Sequence, residues 1–159
     1  RSFYHSLIDA METAVYKPGW KKDVYPSQAF LLRSIEQGAA FIGVCGGRIA
    51  SCMVLDHSYN ESYRAITWRV EAKDSELLVI HALGVHPDFA RQGLAGQMVR
   101  KAIEIARGQG VKAIRLDVLE GNLPAEKTYT KLGFQYRGTV EMFYEDTGWT
   151  DFRVFEYVL

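Results

Sequence analysis

The stretch of this chain best suited to chemistry is Leu83-Gly84-Val85-His86-Pro87-Asp88-Phe89-Ala90-Arg91-Gln92-Gly93-Leu94-Ala95-Gly96, where an apolar, strand-like run hands over to a long helical pattern. A helix start leaves several amide N–H groups without intrahelical acceptors and carries partial positive charge, so small residues there let an anionic phosphate come close. A pyrophosphate suits such a turn. No Gly-Lys-Ser/Thr follows, and the three-glycine dinucleotide spacing is absent, so nucleoside triphosphates and NAD match it poorly. Taken alone, the turn is equally compatible with a tight corner at Gly93 and Gly96 and a solvated Arg91.

A second segment is Asn122-Leu123-Pro124-Ala125-Glu126-Lys127-Thr128-Tyr129-Thr130-Lys131-Leu132-Gly133-Phe134. Asn122, at the mouth of a helix, can cap free N–H groups or offer its amide to the amides of a ligand. Ala125 stands one turn before Tyr129 and leaves room on that helix face. By itself, a buried helix tyrosine such as Tyr129 is ordinarily core, its hydroxyl tied to a partner. Among possible bases, His81 comes first: imidazole titrates near neutrality, and strict alternation puts it on one strand face with Val79, Leu83 and Val85. A satisfied core histidine is the competing reading. Glu71 and Glu76, just upstream, could act through a water or simply be solvated flanks of the strand. Trp20, Tyr25 and Trp68 suit either the wall of an organic acceptor site or core packing.

These residues need elements to hold them. Apolar residues from Phe3 to Val15 recur at three- and four-residue steps, predicting a helix broken by Pro18-Gly19; Ser27 is a good N-cap for a second that ends at Gly38. Ala40 to Val44 and Ile49 to Leu55 flank Gly46-Gly47, a hairpin signature. Tyr63 to Val70 and Leu77 to Val85 read as further strands, the second apolar enough to be central. A long helix runs from near Gly93 to Gly108-Gln109-Gly110, then a strand from Val111 to Val118 and a helix from Pro124 to Leu132 closed by Gly133. Phe134 to Tyr144 and Phe152 to Val158 pair around Asp146-Thr147-Gly148. The order ααββββαβαββ contains hairpins and one βαβ unit, which predicts an α/β (α+β) chain: one mixed, largely antiparallel twisted sheet with helices on its faces.

Composition narrows the partners. The 159 residues fit one domain with enough apolar material for a sizeable core, and nineteen Lys+Arg balance nineteen Asp+Glu, so no global cationic field draws the chain to nucleic acid or anionic membrane. No apolar run approaches a bilayer span and the first residues lack a signal-peptide layout, which predicts a soluble protein. Cys45 and Cys52 lie in successive apolar stretches, where buried free thiols fit better than a disulfide, and a cytoplasmic location suits them. Balanced charge and an apolar C-terminal strand leave a homodimer open.

The first segment resembles the pyrophosphate-binding motif of the GNAT superfamily of acyl-CoA-dependent N-acetyltransferases, Gln/Arg-x-x-Gly-x-Gly/Ala after a strand ending Val-x-Pro. Gly93 and Ala95 fall on its two small positions; Ala90 stands where the family has Gln or Arg, with Arg91 and Gln92 beside it. The second segment is similar at every named position to the family's Asn-x-x-Ala-x-x-x-Tyr-x-x-x-Gly-Phe. The resemblance covers Phe3 to Leu159. It implies a GNAT-like fold, with residues 1–159 forming a single acetyltransferase domain that lacks the strand usually preceding its first helix.

As to chemistry, the resemblance implies acetyl-CoA as co-substrate and direct attack by an amine in a ternary complex, with no metal and no enzyme nucleophile. Leu83, Gly84, Val85, Arg91, Gln92, Gly93, Leu94, Ala95, Gly96, Asn122 and Ala125 would then hold the cofactor. Backbone N–H groups from Leu83 to Val85 would face the thioester oxygen, with Gly84 permitting close approach. Tyr129 would serve the departing thiolate. An alkylamine is neutral only roughly one time in two thousand at pH 7, so a base must take its proton; the candidates are His81, Glu71 and Glu76. The acceptor is a small-molecule amine or a peptide or protein amine. A CoA-binding or regulatory module without catalysis is the alternative, and a purely structural α/β domain a third.

Overall fold

Glycine punctuation and capping set the observed elements in the computed structural model, which describes residues 1–159. Helices α1 (Ser2–Ala10) and α2 (Gln28–Glu36) come first, the second capped by Ser27, whose hydroxyl accepts from the Phe30 amide at 3.1 Å. Strands β1 (Ala40–Cys45) and β2 (Arg48–Asp56) turn on Gly46 and Gly47, both at positive φ, 54° and 75°. Strand β3 (Leu77–Val85), helix α3 (Leu94–Gln109) and strand β4 (Ala113–Leu119) form the one βαβ unit; helix α4 (Leu123–Lys131) and the hairpin of β5 (Gln135–Tyr144) and β6 (Gly148–Val158) complete the chain.

The six strands make one sheet in the order β1-β2-β3-β4-β6-β5, and only β3 and β4 run parallel. Helices α3 and α4 cover one face, where Met53, Leu78, Ile80, Val99, Ile103, Ile114, Leu116 and Phe155 form the largest core cluster. Helix α1 packs on the other face through Tyr4 and Leu7 against Cys52 and Ala82; beside it Tyr63, Val79, Met142, Phe152 and Val154 form a third cluster. The predicted mixed, largely antiparallel sheet with helices on both faces is what the chain forms. Cys45 and Cys52 are free thiols. No helix is long and apolar enough to cross a membrane.

Two predicted elements differ. The first helix stops at Ala10 rather than Val15, which is 88% exposed and contributes nothing to the apolar stripe. Tyr63 to Val70 is not a strand: Glu61–Ala65 is a short 3-10 helix, and the residues after it lie over the sheet. Side chains of the sheet satisfy this segment's backbone in place of a ladder. Arg137 donates to the Thr67 carbonyl at 2.9 Å, Arg115 to the Val70 carbonyl at 2.7 Å, and Glu156 accepts from the Arg69 amide at 2.8 Å. Arg115 and Glu156, both buried, are themselves paired at 3.0 Å, and the Arg115 guanidinium sits 4.2 Å from the Trp68 ring centroid. The aromatic and β-branched residues that suggested a strand are there to cover the sheet.

Candidate active site

The central parallel pair does not stay together. Strand β3 pairs with β4 only over Leu77–Val79 and Ala113–Arg115, although β3 continues to Val85 and β4 to Leu119. On its other edge β3 carries a bulge: Val54 and Cys52 of β2, two steps apart, face His81 and Gly84, three steps apart. The extra residue is Ala82, at φ 49°, and its carbonyl accepts from the buried Tyr4 hydroxyl at 2.7 Å. This bulge breaks the alternation on which the sequence reading relied. His81 shares a face with Val79, but Leu83 is turned to the α3/α4 side and packs on the main core there.

Where the two strands part, a cavity opens that reaches both faces of the sheet. Ile80, Leu83, Val118, Asn122, Ala125 and Tyr129 line it on the α3/α4 side; Trp20, Tyr25, His81, Asp117, Tyr144 and Asp146 line it on the other. About 670 Å³ of space lies between them, part of it open solvent.

The turn after β3 is built by local capping. His86 Nδ1 accepts from the Asp88 amide at 3.2 Å and fixes the short 3-10 turn Pro87–Phe89; Arg48 pairs with Asp88 at 2.8 Å and lies 5.0 Å from the Phe89 ring centroid. Arg91 and Gly93 then take positive φ values of 62° and 73°. Gly93 is the N-cap of α3 and brings no side-chain cap, so the amides of Leu94, Ala95 and Gly96 have no acceptor within the helix. Nothing lies within 4 Å of where a Gly93 Cβ would stand, so the surface above the turn is open. A Cβ on Gly96 would meet the Arg100 guanidinium at 3.4 Å, which places a second arginine over the first turn besides the exposed Arg91 and Gln92.

Helix α4 brings up the other motif. Tyr129 is 8% exposed and its ring meets Phe134 edge-on at 5.7 Å, yet its hydroxyl has no hydrogen-bond partner in the protein. Burial, with Asp117 nearby, pushes its pKa well above the usual phenol value, so it keeps its proton and is a hydrogen-bond donor throughout the neutral range. Asn122 stands at the N-cap but its side chain makes no capping bond, and the amide lines the cavity.

On the opposite side, His81 Nε2 lies 3.1 Å from Asp56 Oδ1 and 3.0 Å from the Ser58 carbonyl. Both partners only accept, so Nε2 carries the hydrogen and Nδ1 is left as the basic nitrogen. Burial works to raise the Asp56 carboxyl, but the His81 contact and two bonds from Ser58 outweigh it and bring the pKa down to about 2. Glu71 and Glu76 do not reach this place. Glu76 precedes β3, about 16 Å of strand from His81, and is held by the Lys73 amide at 2.8 Å and by Lys112 at 3.0 Å, which lower its pKa. Glu71 is exposed beside Trp68 and Arg115. Trp68 belongs to that cluster, while Trp20 and Tyr25 line the cavity. Gly84 has a packing reason for its missing side chain: a Cβ there would stand 2.5 Å from Leu7 Cδ2 and 3.2 Å from the Trp20 ring.

Sequence reasoning passed over Asp56, Asp117, Tyr144 and Asp146. Asp117 was findable, as a carboxylate inside the otherwise apolar run Leu116-Asp117-Val118-Leu119. Here it accepts from the Tyr63 hydroxyl at 2.7 Å and the Tyr144 hydroxyl at 3.1 Å, while burial holds its pKa above the usual carboxylate value.

Comparison with known proteins gives three findings. The sequence model of the acetyltransferase (GNAT) family matches residues 3–134. An uncharacterized N-acetyltransferase of Methanocaldococcus jannaschii is 32% identical over 74 residues; the match takes in 46% of this chain and spans 33% of that relative's length. Among solved structures, a GNAT-family acetyltransferase from Streptococcus agalactiae is similar with a TM-score of 0.78 at 24% identity, covering 99% of this chain and 88% of that one. Another, from Elizabethkingia anophelis with acetyl-CoA bound, is similar with a TM-score of 0.61 at 18% identity, covering 86% of each chain.

Proposed function

Because this chain belongs to the GNAT family of acetyltransferases, we propose that it moves the acetyl group of acetyl-CoA directly to a primary amine, both substrates being bound together. The observation that carries this reading is the Tyr129 hydroxyl, borne on a buried side chain but without a protein partner and open to the cavity where β3 and β4 separate. A hydroxyl with no protein partner at the wall of a cavity is free to bond a ligand there.

Acetyl-CoA contributes an acyl group already activated as a thioester. The free amides of Leu94, Ala95 and Gly96, with Arg91, Gln92 and Arg100 around them, suit its diphosphate, and Gly93 keeps the approach clear. The uncommitted side-chain amide of Asn122 can bond the amides of the pantetheine arm, and the small Ala125 leaves space for that arm. Beyond Val79, β3 has no β4 partner, so the backbone N–H groups on that edge, those not bonded to β2, are available to the thioester oxygen as negative charge develops on it.

The amine enters from the side of Trp20, Tyr25 and His81. His81 Nδ1 takes its proton, with Asp56 and the Ser58 carbonyl holding the ring in the required tautomer. The C–N bond forms, the C–S bond breaks with its electron pair going to sulfur, and Tyr129 donates a hydrogen bond to the leaving thiolate.

Thiol release from acetyl-CoA over a panel of amines tests the reading. Turnover with at least one amine is expected, and His81→Gln should remove the acidic limb of the kcat/KM profile while acetyl-CoA still binds. Binding of acetyl-CoA without thiol release on any amine would overturn the enzyme and leave a CoA-binding module.

A further inference from the structure

The acceptor side of the cavity is more acidic than acetyl transfer to a simple amine requires. Asp117 and Asp146 line it, Asp56 stands behind His81, and none of the sixteen lining residues is Lys or Arg. Asp146 is 5% exposed; one oxygen accepts from the Thr147 amide at 3.1 Å and no cation pairs with the carboxylate. Both hydroxyls that bond Asp117 donate to the same oxygen, Oδ2, which leaves Oδ1 without a protein donor. Burial pushes both carboxyls up, outweighing the opposite pull of His81 on Asp117 and of Lys21 on Asp146. His81, the one cavity residue able to become a cation, is already committed to Asp56.

Two carboxylates on the wall of one cavity, Asp146 buried and Asp117 partly so, have no ion-pair partner among the lining residues and are costly to keep there. Tyr129, a residue only 8% exposed whose hydroxyl has no protein partner and faces the same cavity, independently marks the space as one that a ligand completes. Around the carboxylates stand the aromatic rings of Trp20, Tyr25 and Tyr144, with Tyr25 and Tyr144 6.0 Å apart. Such faces favour a cation over an anion.

We infer that the acceptor is an aliphatic di- or polyamine, whose second, non-reacting ammonium is held by Asp117 and Asp146 beneath these rings while its other nitrogen meets the thioester near Tyr129. The inference rests on the acetyltransferase reading and narrows it. An amine carrying a carboxylate would bring like charge into the same space and be rejected, and a simple monoamine would leave the two carboxylates unanswered.

The test compares 1,4-diaminobutane, n-butylamine and 4-aminobutanoate, of similar chain length but different terminal charge, at saturating acetyl-CoA, with an unblocked peptide as a fourth acceptor. The diamine is expected to exceed n-butylamine in kcat/KM by at least about tenfold, the scale of one charge-assisted hydrogen bond, with 4-aminobutanoate not turned over. Asp146→Asn, nearly isosteric, should narrow the diamine-to-monoamine ratio toward one; Asp117→Asn gives the same readout if the first variant melts early. Calorimetry with 1,4-diaminobutane alone reads the pocket without the cofactor. Acetyl-CoA turnover with no preference for the diamine, or a preference for the peptide, would overturn the inference and leave the acetyltransferase standing. Diamine binding with no acetyl-CoA binding would overturn the acetyltransferase reading instead.

Discussion

Replacing Tyr129 by Phe removes one oxygen and nothing else, and the structure fixes what that should do. The ring stays in the core against Phe134, so no cavity forms. The hydroxyl has no protein partner to strand, so stability should be unchanged or rise by up to about 1 kcal/mol, which for a domain of this size is a melting shift of about 2–4 °C upward. Turnover should behave quite differently. A donor aimed at charge developing in a water-poor site is worth about 10²-fold in rate, or about 3 kcal/mol, so kcat should fall about 100-fold. The KM for acetyl-CoA should move less than about threefold, because the bond matters when sulfur departs and not when the coenzyme binds. The assay is thiol release followed with a thiol-reactive chromophore, alongside thermal melting. A variant with wild-type kcat and a melting temperature lowered by several degrees would refute the reasoning and make the hydroxyl structural.

Gly93→Glu should abolish measurable acetyl-CoA binding by calorimetry without unfolding the protein, because it places bulk, a positive φ and a negative charge in front of the free amides of α3. Glu156→Gln should lower stability by about 3–5 kcal/mol in a melting or denaturant experiment, since it leaves the buried Arg115 guanidinium without its counter-charge. Asp56 has a folded pKa of about 2, below its unfolded value near 4, so its contribution to stability is present above that unfolded value and is lost as pH falls toward 2. The acid-unfolding midpoint should therefore move to higher pH in His81→Ala, which removes the partner that lowers the Asp56 carboxyl.

The sequence by itself determined the architecture and the α3/α4 side of the cavity. Gly93, Ala95, Asn122, Ala125 and Tyr129 are legible because their placement depends on local rules: a helix start, a helical turn, a positive φ that glycine tolerates. The Gly46-Gly47 hairpin and the apolar run of β3 are local in the same sense. Tertiary structure decided the rest. Strict alternation misplaced Leu83 relative to His81, because the bulge at Ala82 is held by Tyr4, 78 residues earlier in the chain. Tyr63 to Val70 has strand-like composition but meets no strand edge; side chains from β4, β5 and β6 occupy its backbone groups instead. The other side of the cavity gathers Trp20, Tyr25, Asp56, His81, Asp117, Tyr144 and Asp146 from five separate stretches of chain. No spacing rule connects residues that become neighbours only when β3 and β4 part, and the charge they share appears only once the fold has withdrawn them together from water.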